Sequence, residues 1–122
     1  MTEKKTVILG ASTHPWRYAY LAATKLTGHG YEIVPIGNKE GIVANEDIVI
    51  GQPDINNVHT VTMYLRPIHQ AEYYEYILET LQPKRIVFNP GSENPELAAM
   101  AEKKDIEALE ACTLVMLSTG QY

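Results

Sequence analysis

The chain holds one cysteine, one tryptophan and one phenylalanine in 122 residues. A single thiol excludes an internal disulfide framework and fits a reducing compartment. No apolar run approaches the ~18 residues of a membrane span. Met1–Lys5 is polar and leads into a strand pattern without an apolar signal region, so a cytoplasmic protein with no membrane partner is expected. H-E-x-x-H and C-x-x-C are both missing. His14, His29, His59 and His69 pair with no His, Cys or acid at a convincing ligand spacing, and no metal site is expected. Basic residues are scarce too. Ten Lys and Arg stand against fifteen acids, for a net charge of −5, which argues against a general nucleic-acid binder. The dinucleotide fingerprint G-x-G-x-x-G is also lacking, because after Gly10 no glycine follows until Gly28.

What is present is a regular alternation. With 45% hydrophobic residues, one domain spanning residues 1–122 is expected. Thr6–Leu9 is a short, β-branched run ending at Gly10, as in a central parallel strand. Pro15 suits the first turn of a helix, and apolar residues recur at helical spacing from Trp16 to about Thr27, where Gly28 or Gly30 stops it. Glu32–Ile36 reads as the second strand. The polar stretch 37–57 carries a short edge-strand candidate, Ile48–Ile50, and Val58–Leu65 follows as a strand. Pro67 opens a helix to Leu81, where Pro83 forbids continuation. Arg85–Phe88 is a strand, Asn94-Pro95-Glu96 starts a helix to about Lys103, and Ile106–Leu109 is the last strand candidate. Thr113–Leu117 reads equally as helix or strand. This order predicts an α/β fold, a Rossmann-like three-layer sandwich around a mostly parallel sheet of five to six strands.

In such a sheet a ligand sits beyond the carboxyl ends of the strands. The loop Gly10–Arg17 there has the composition of an anion site. Gly10 permits a tight turn, Ala11 and Ser12 are small, the next helix presents free N–H groups, and Arg17 can close on a phosphate. An ordinary βα turn with a surface arginine is the plainer reading of the same residues. After the second strand stands Gly37-Asn38-Lys39, where NAD binding prefers an acid. A lysine there suits an extra ribose-side phosphate, as on NADP or coenzyme A, or it is a solvated loop lysine.

The blocks V-I-L-G-A-S-T-H-P-W-R, G-H-G-Y-E-I-V-P-I-G-N, T-V-T-M-Y-L-R-P, R-I-V-F-N-P-G-S-E-N-P-E-L and A-C-T-L-V-M-L carry a resemblance over nearly the whole chain. In that order they resemble the small bacterial CoA-binding domain proteins, relatives of the CoA-binding domain of the succinyl-CoA synthetase α subunit. The resemblance implies coenzyme A, or an acyl-CoA, as ligand. It implies that Gly10, Ala11, Ser12 and Arg17 meet the pyrophosphate and that Pro35, Gly37 and Asn38 lie along the adenosine, with Lys39 near the ribose phosphate. Tyr64, Arg66 and Pro67 would flank the nucleotide, and Asn89, Pro90 and Gly91 would line the pantetheine path. One departure stands out: bulky Tyr18 follows the arginine where small hydroxylated residues are usual. Trp16 and Tyr18 would stack on the ligand or partly block it.

No catalytic constellation is visible. Cys112 has Ala111, Thr113 and Leu114 beside it, none of them a base or a cation, so a packed structural thiol is expected. Glu96 is explained by the helix dipole, whereas Glu93 is not, and Glu93 is the first carboxylate to test for chemistry. Tyr73 and Tyr76 share a helix face with Ile77, as core packing or as a partner surface for a homodimer. Three functions remain in competition: a non-catalytic or regulatory CoA-binding module, a ligand-free structural or interaction protein of the same fold, and an NADP-linked enzyme.

Overall fold

The strand β1 (Thr6–Leu9) is buried along its whole length, as its unbroken β-branched run requires of a strand covered on both faces. In the computed structural model, which describes residues 4–122, it lies at the centre of the sheet. Residues 1–3, the start of the polar segment read above, lie outside the described residues. The helix α1 (Tyr18–Gly28) follows, and then β2 (Ile33–Gly37), parallel to β1 with Thr6 opposite Ile33 and Leu9 opposite Ile36. A two-stranded antiparallel hairpin, β3 (Ile42–Val43) and β4 (Glu46–Asp47), leads into the two-residue strand β5 (Val49–Ile50) beside β2. The chain then returns to the other side of β1 with β6 (Thr60–Met63), β7 (Arg85–Phe88) and β8 (Glu107–Glu110). The sheet has six parallel strands in the order β5-β2-β1-β6-β7-β8. Counted without the hairpin, that is the doubly wound order 3-2-1-4-5-6 of a Rossmann-like α/β fold.

Alternation along the strands sorts the core into two faces. Val7, Leu9, Val61, Met63, Ile86 and Phe88 pack against the segment 76–81 and the helix α2 (Pro95–Glu102). Ile8, Ile33 and Val87 point the other way, against α1 and the helix α3 (Thr113–Ser118). Asn94 caps α2 as its sequence promised, its side chain accepting from the Leu97 amide at 3.2 Å. The final segment, open between helix and strand in the sequence, is a helix.

The largest departure lies between β6 and β7. The regular helix expected over Pro67–Leu81 is instead two 3-10 turns, Pro67–His69 and Ala71–Tyr73, followed by a π-helical stretch Tyr76–Leu81. That stretch buries Tyr76, Ile77, Leu78 and Leu81, so the apolar pattern was real and only the backbone winding was misread. The edge strand is shorter than Ile48–Ile50, and the hairpin before it was not anticipated. Its turn residues Ala44 (φ 51°) and Asn45 (φ 66°) are both left-handed, without the Asn-Gly signal such turns usually carry.

Buried threonines on β6 hold the polar part of the interior together. The Thr60 hydroxyl accepts from Arg85 Nε at 2.7 Å, and Thr62 Oγ1 lies 2.8 Å from Thr113 Oγ1. The Arg85 guanidinium also lies 4.4 Å from the centre of the Tyr122 ring, a cation held over an aromatic face.

Candidate functional site

The chain leaves β1 toward β2 on one side and comes back through β6 on the other, so the loops at the carboxyl ends of β1 and β6 diverge. A crevice is expected at that switch point. A cleft of about 750 Å³ opens there, inside the ~300–1,000 Å³ range of small-molecule sites. Three segments wall it.

The first wall is the loop Gly10–Arg17. Gly10 sits at φ 95°, and a Cβ there would lie 3.2 Å from the Tyr64 carbonyl carbon, so glycine is required twice over. The amides of Gly10 and Ala11 both donate to the Ile36 carbonyl, at 3.0 and 2.9 Å. These two donors are therefore committed to the protein. The Ser12, Thr13 and Trp16 amides have no acceptor among the described residues, and they are the backbone donors the loop can offer an anion. Ser12 Oγ accepts from the His14 amide at 3.1 Å and fixes the turn. Arg17 faces the cleft just before α1, whose first turn contains no acid to oppose a negative ligand.

The second wall is Gly37, Asn38 and Lys39, with Ile36 and Ile48 beneath. A Cβ on Gly37 would stand 2.8 Å from the Ala11 carbonyl oxygen and 3.0 Å from Ile48 Cγ2. The close approach of the first two loops therefore needs a bare backbone there.

The third wall runs from Tyr64 and Leu65 to Arg66, and on to His69, Glu72 and Tyr73. Arg66, His69 and Glu72 are three residues apart, and the 3-10 turns, with three residues per turn, bring them to one side. Sequence reading gave His69, Glu72 and Tyr73 no place in the site, because it wound this segment at 3.6 residues per turn. Tyr64 lines the cleft, while its hydroxyl is buried with no hydrogen-bond partner among the described residues. Burial raises the pKa of that hydroxyl well above the ordinary tyrosine value, so it stays protonated.

Electrostatically the cleft contrasts with the rest of the chain. Arg17, Lys39 and Arg66 line it against one acid, Glu72, in a protein of net charge −5. Nine of the fourteen residues singled out from the sequence line this cleft: Gly10, Ala11, Ser12, Arg17, Gly37, Asn38, Lys39, Tyr64 and Arg66.

The other five lie elsewhere. Pro35 is buried inside β2 opposite Ile8. Pro67 begins the first 3-10 turn and is exposed. Asn89 is an interior residue, 1% exposed, that ties three elements together. Its Nδ2 donates to Thr62 Oγ1 at 2.8 Å and to the Met63 carbonyl at 2.9 Å, and its Oδ1 accepts from the Thr113 amide at 2.8 Å. Pro90 and Gly91 form an exposed turn, with Gly91 at φ 92°. Glu93 finds its role there, its Oε1 accepting from the Gly91 amide at 2.9 Å. The tyrosines are likewise used within the chain. Tyr76 donates to the Pro53 carbonyl at 2.5 Å, and Tyr74 donates to Glu96 at 3.0 Å.

Gln70 was missed altogether. It is fully buried behind the third wall, where Nε2 donates to the carbonyls of Leu65 (2.8 Å) and Ser92 (2.9 Å). A glutamine between two exposed-looking stretches gives no sequence signal of such a role.

Among the described residues, no group of three or more His, Cys, Asp or Glu is gathered to hold a metal ion, and no helix is long and apolar enough to cross a membrane.

Comparison with known proteins agrees with this architecture. Over its full length the chain is 48% identical to a crystallised uncharacterised protein, also covered over its full length, with a TM-score of 0.96. A hypothetical protein from Pyrococcus horikoshii OT3 shares the fold at 24% identity and TM-score 0.86, over 96% of this chain and 83% of that one. A Thermus thermophilus protein shares it at 18% identity and TM-score 0.84, over 98% and 91%. No functionally curated protein matches the chain. The family model of the CoA binding domain matches residues 4–118, and the chain belongs to that family.

Proposed function

We propose that the cleft binds coenzyme A or an acyl-CoA, and that the protein works in the cytoplasm as a binding or regulatory module without chemistry of its own. The observation that carries this reading is the convergence of Arg17, Lys39 and Arg66 on one crevice at the switch point of an otherwise acidic protein. A ligand with a pyrophosphate and a further ribose phosphate supplies the matching anions. The Ser12 and Thr13 amides and the Arg17 guanidinium would hold the pyrophosphate, and Lys39 would hold the ribose phosphate. Trp16 and Tyr18 do not fill the cleft. They stand 74% and 70% exposed, which weighs against a fold that has closed over its ligand site. As for catalysis, Tyr64 is kept protonated by burial and makes a poor base, and Glu93 is engaged by its own turn.

The test is thermal unfolding of the full chain with coenzyme A, acetyl-CoA, NADPH and ADP. Coenzyme A at about a hundred times its dissociation constant stabilises by about 2.7 kcal/mol through mass action. Arg17→Ala and Lys39→Ala should each abolish most of that shift. Indifference to all four nucleotides would overturn the reading, and a response to NADPH with none to coenzyme A would replace it by the NADP-linked one.

A further inference from the structure

The three most exposed large apolar residues among those described are Ile68 (79%), Trp16 (74%) and Tyr18 (70%). Scattered singly, such residues need no explanation. These three share their segments with walls of the cleft. Trp16 and Tyr18 flank Arg17, and Ile68 lies between Arg66 and His69, so all three stand on two of the three segments that carry the basic wall residues of the cleft. The indole is also held in place. The His14 ring, itself part of the cleft wall, stacks on it with centroids 4.7 Å apart and planes at 23°. A preset aromatic surface loses little freedom when something settles on it.

Basic walls with exposed apolar side chains on the same segments match one kind of molecule: a polyanion with an apolar tail. Resting on the coenzyme A reading above, we propose that the cleft selects an acyl thioester over the free thiol. Its apolar acyl group, several carbons long, lies on the rim formed by Trp16, Tyr18 and Ile68, the pantetheine arm folding back from the pyrophosphate at Arg17 to reach it. The free thiol would satisfy the cations and leave that rim in water. An acyl chain would cover it, gaining about fourfold in affinity per methylene fully buried and about twofold per methylene half-buried.

The experiment is titration calorimetry of the full chain with coenzyme A and its acetyl, butyryl and octanoyl thioesters, below their micelle-forming concentrations. Tryptophan emission is followed in parallel, and because Trp16 is the only tryptophan that signal reports on the rim alone. Affinity should rise along the series by at least tenfold from the free thiol to the octanoyl thioester. Emission should shift to the blue with the longer chains, and Trp16→Ser with Ile68→Ser should flatten the dependence on chain length. Equal affinities for the free thiol and the octanoyl thioester, with Trp16 unshifted, would overturn the inference and leave the coenzyme A reading standing. Failure of every thioester and of the free thiol to bind would remove both. Octanoate alone binding as tightly as octanoyl-CoA would reduce the rim to a nonspecific apolar surface. Self-association lost in Trp16→Ser would assign the rim to a second copy of the chain. Either result overturns the proposal.

Discussion

Gln70 and Asn94 meet side chain to side chain, Asn94 Nδ2 donating to Gln70 Oε1 at 2.9 Å, in the interior between the third wall of the cleft and the start of α2. Asn94 Nδ2 also donates to the Tyr74 hydroxyl at 2.8 Å, and Asn94 Oδ1 caps α2. The two amides thus join the loop after β6, the loop after β7 and a helix start in one buried network. Gln70→Ala would leave the Leu65 and Ser92 carbonyls and the Asn94 amide short of partners. We expect a loss of about 2–3 kcal/mol. In urea the midpoint should fall while the slope stays constant.

Gly37→Ala tests the contact between the first two walls. The new methyl meets a backbone oxygen, that of Ala11, at 2.8 Å, and backbone yields less readily than a flexible side-chain end. Overpacking of this kind costs about 1–3 kcal/mol. The larger effect should be on the ligand, since the loop Gly10–Arg17 must shift. A coenzyme A affinity weakened by about tenfold or more in calorimetry is the expected result, and unchanged affinity would mean the loop does not hold the ligand.

His59 makes stability depend on pH in the acid range. Partial burial, and after it the charges of Arg85, Lys4 and Lys84, hold its pKa below the usual histidine value, with Glu107 opposing them. The unfolded chain therefore binds this proton more readily than the folded one. Stability from His59 is complete above about pH 6.5 and is lost as pH falls through the lower, folded value. His59→Gln should flatten that part of a plot of unfolding free energy against pH.

Tyr76 acts at the alkaline end. Burial first, then Asp54 and Tyr73, push its hydroxyl up to about 12 from the ordinary 10. Its contribution is complete below about pH 10 and fades as pH rises toward the folded value. Tyr76→Phe should remove this alkaline loss. At neutral pH it should cost about 1 kcal/mol through the missing bond to Pro53.

Much of the fold was legible because parallel strands buried on both faces read as continuous β-branched runs. Thr6–Leu9 and Arg85–Phe88 have the bounds their residues suggested, and the Asn94-Pro95-Glu96 start of α2 is where its cap predicted. The lining of the cleft was legible wherever it lies directly at a strand end, as at Gly10, Gly37 and Arg66. It failed where winding or register decides which way a residue faces. His69 and Glu72 reach the cleft through 3-10 turns that apolar spacing cannot distinguish from an α-helix, because the same residues below them are buried either way. Asn89 stands away from the cleft for a different reason. A polar residue at a strand end looks like a ligand contact, yet here the nearest unsatisfied polar groups are the protein's own, on Thr62, Met63 and Thr113.

The Ile36 carbonyl takes two amides at once, from Gly10 and Ala11. That bifurcated bond welds the end of β2 to the loop after β1, so two walls of the cleft behave as one stiff plate. Encounter with a ligand on that plate is closer to docking than to moulding, and association there should proceed without a slow rearrangement. Structures with and without ligand should superimpose across residues 10–17 and 36–39. Whatever adjustment binding demands falls to the exposed side chains of Arg66, His69 and Glu72, since Gln70 ties the backbone that carries them to Leu65 and Ser92.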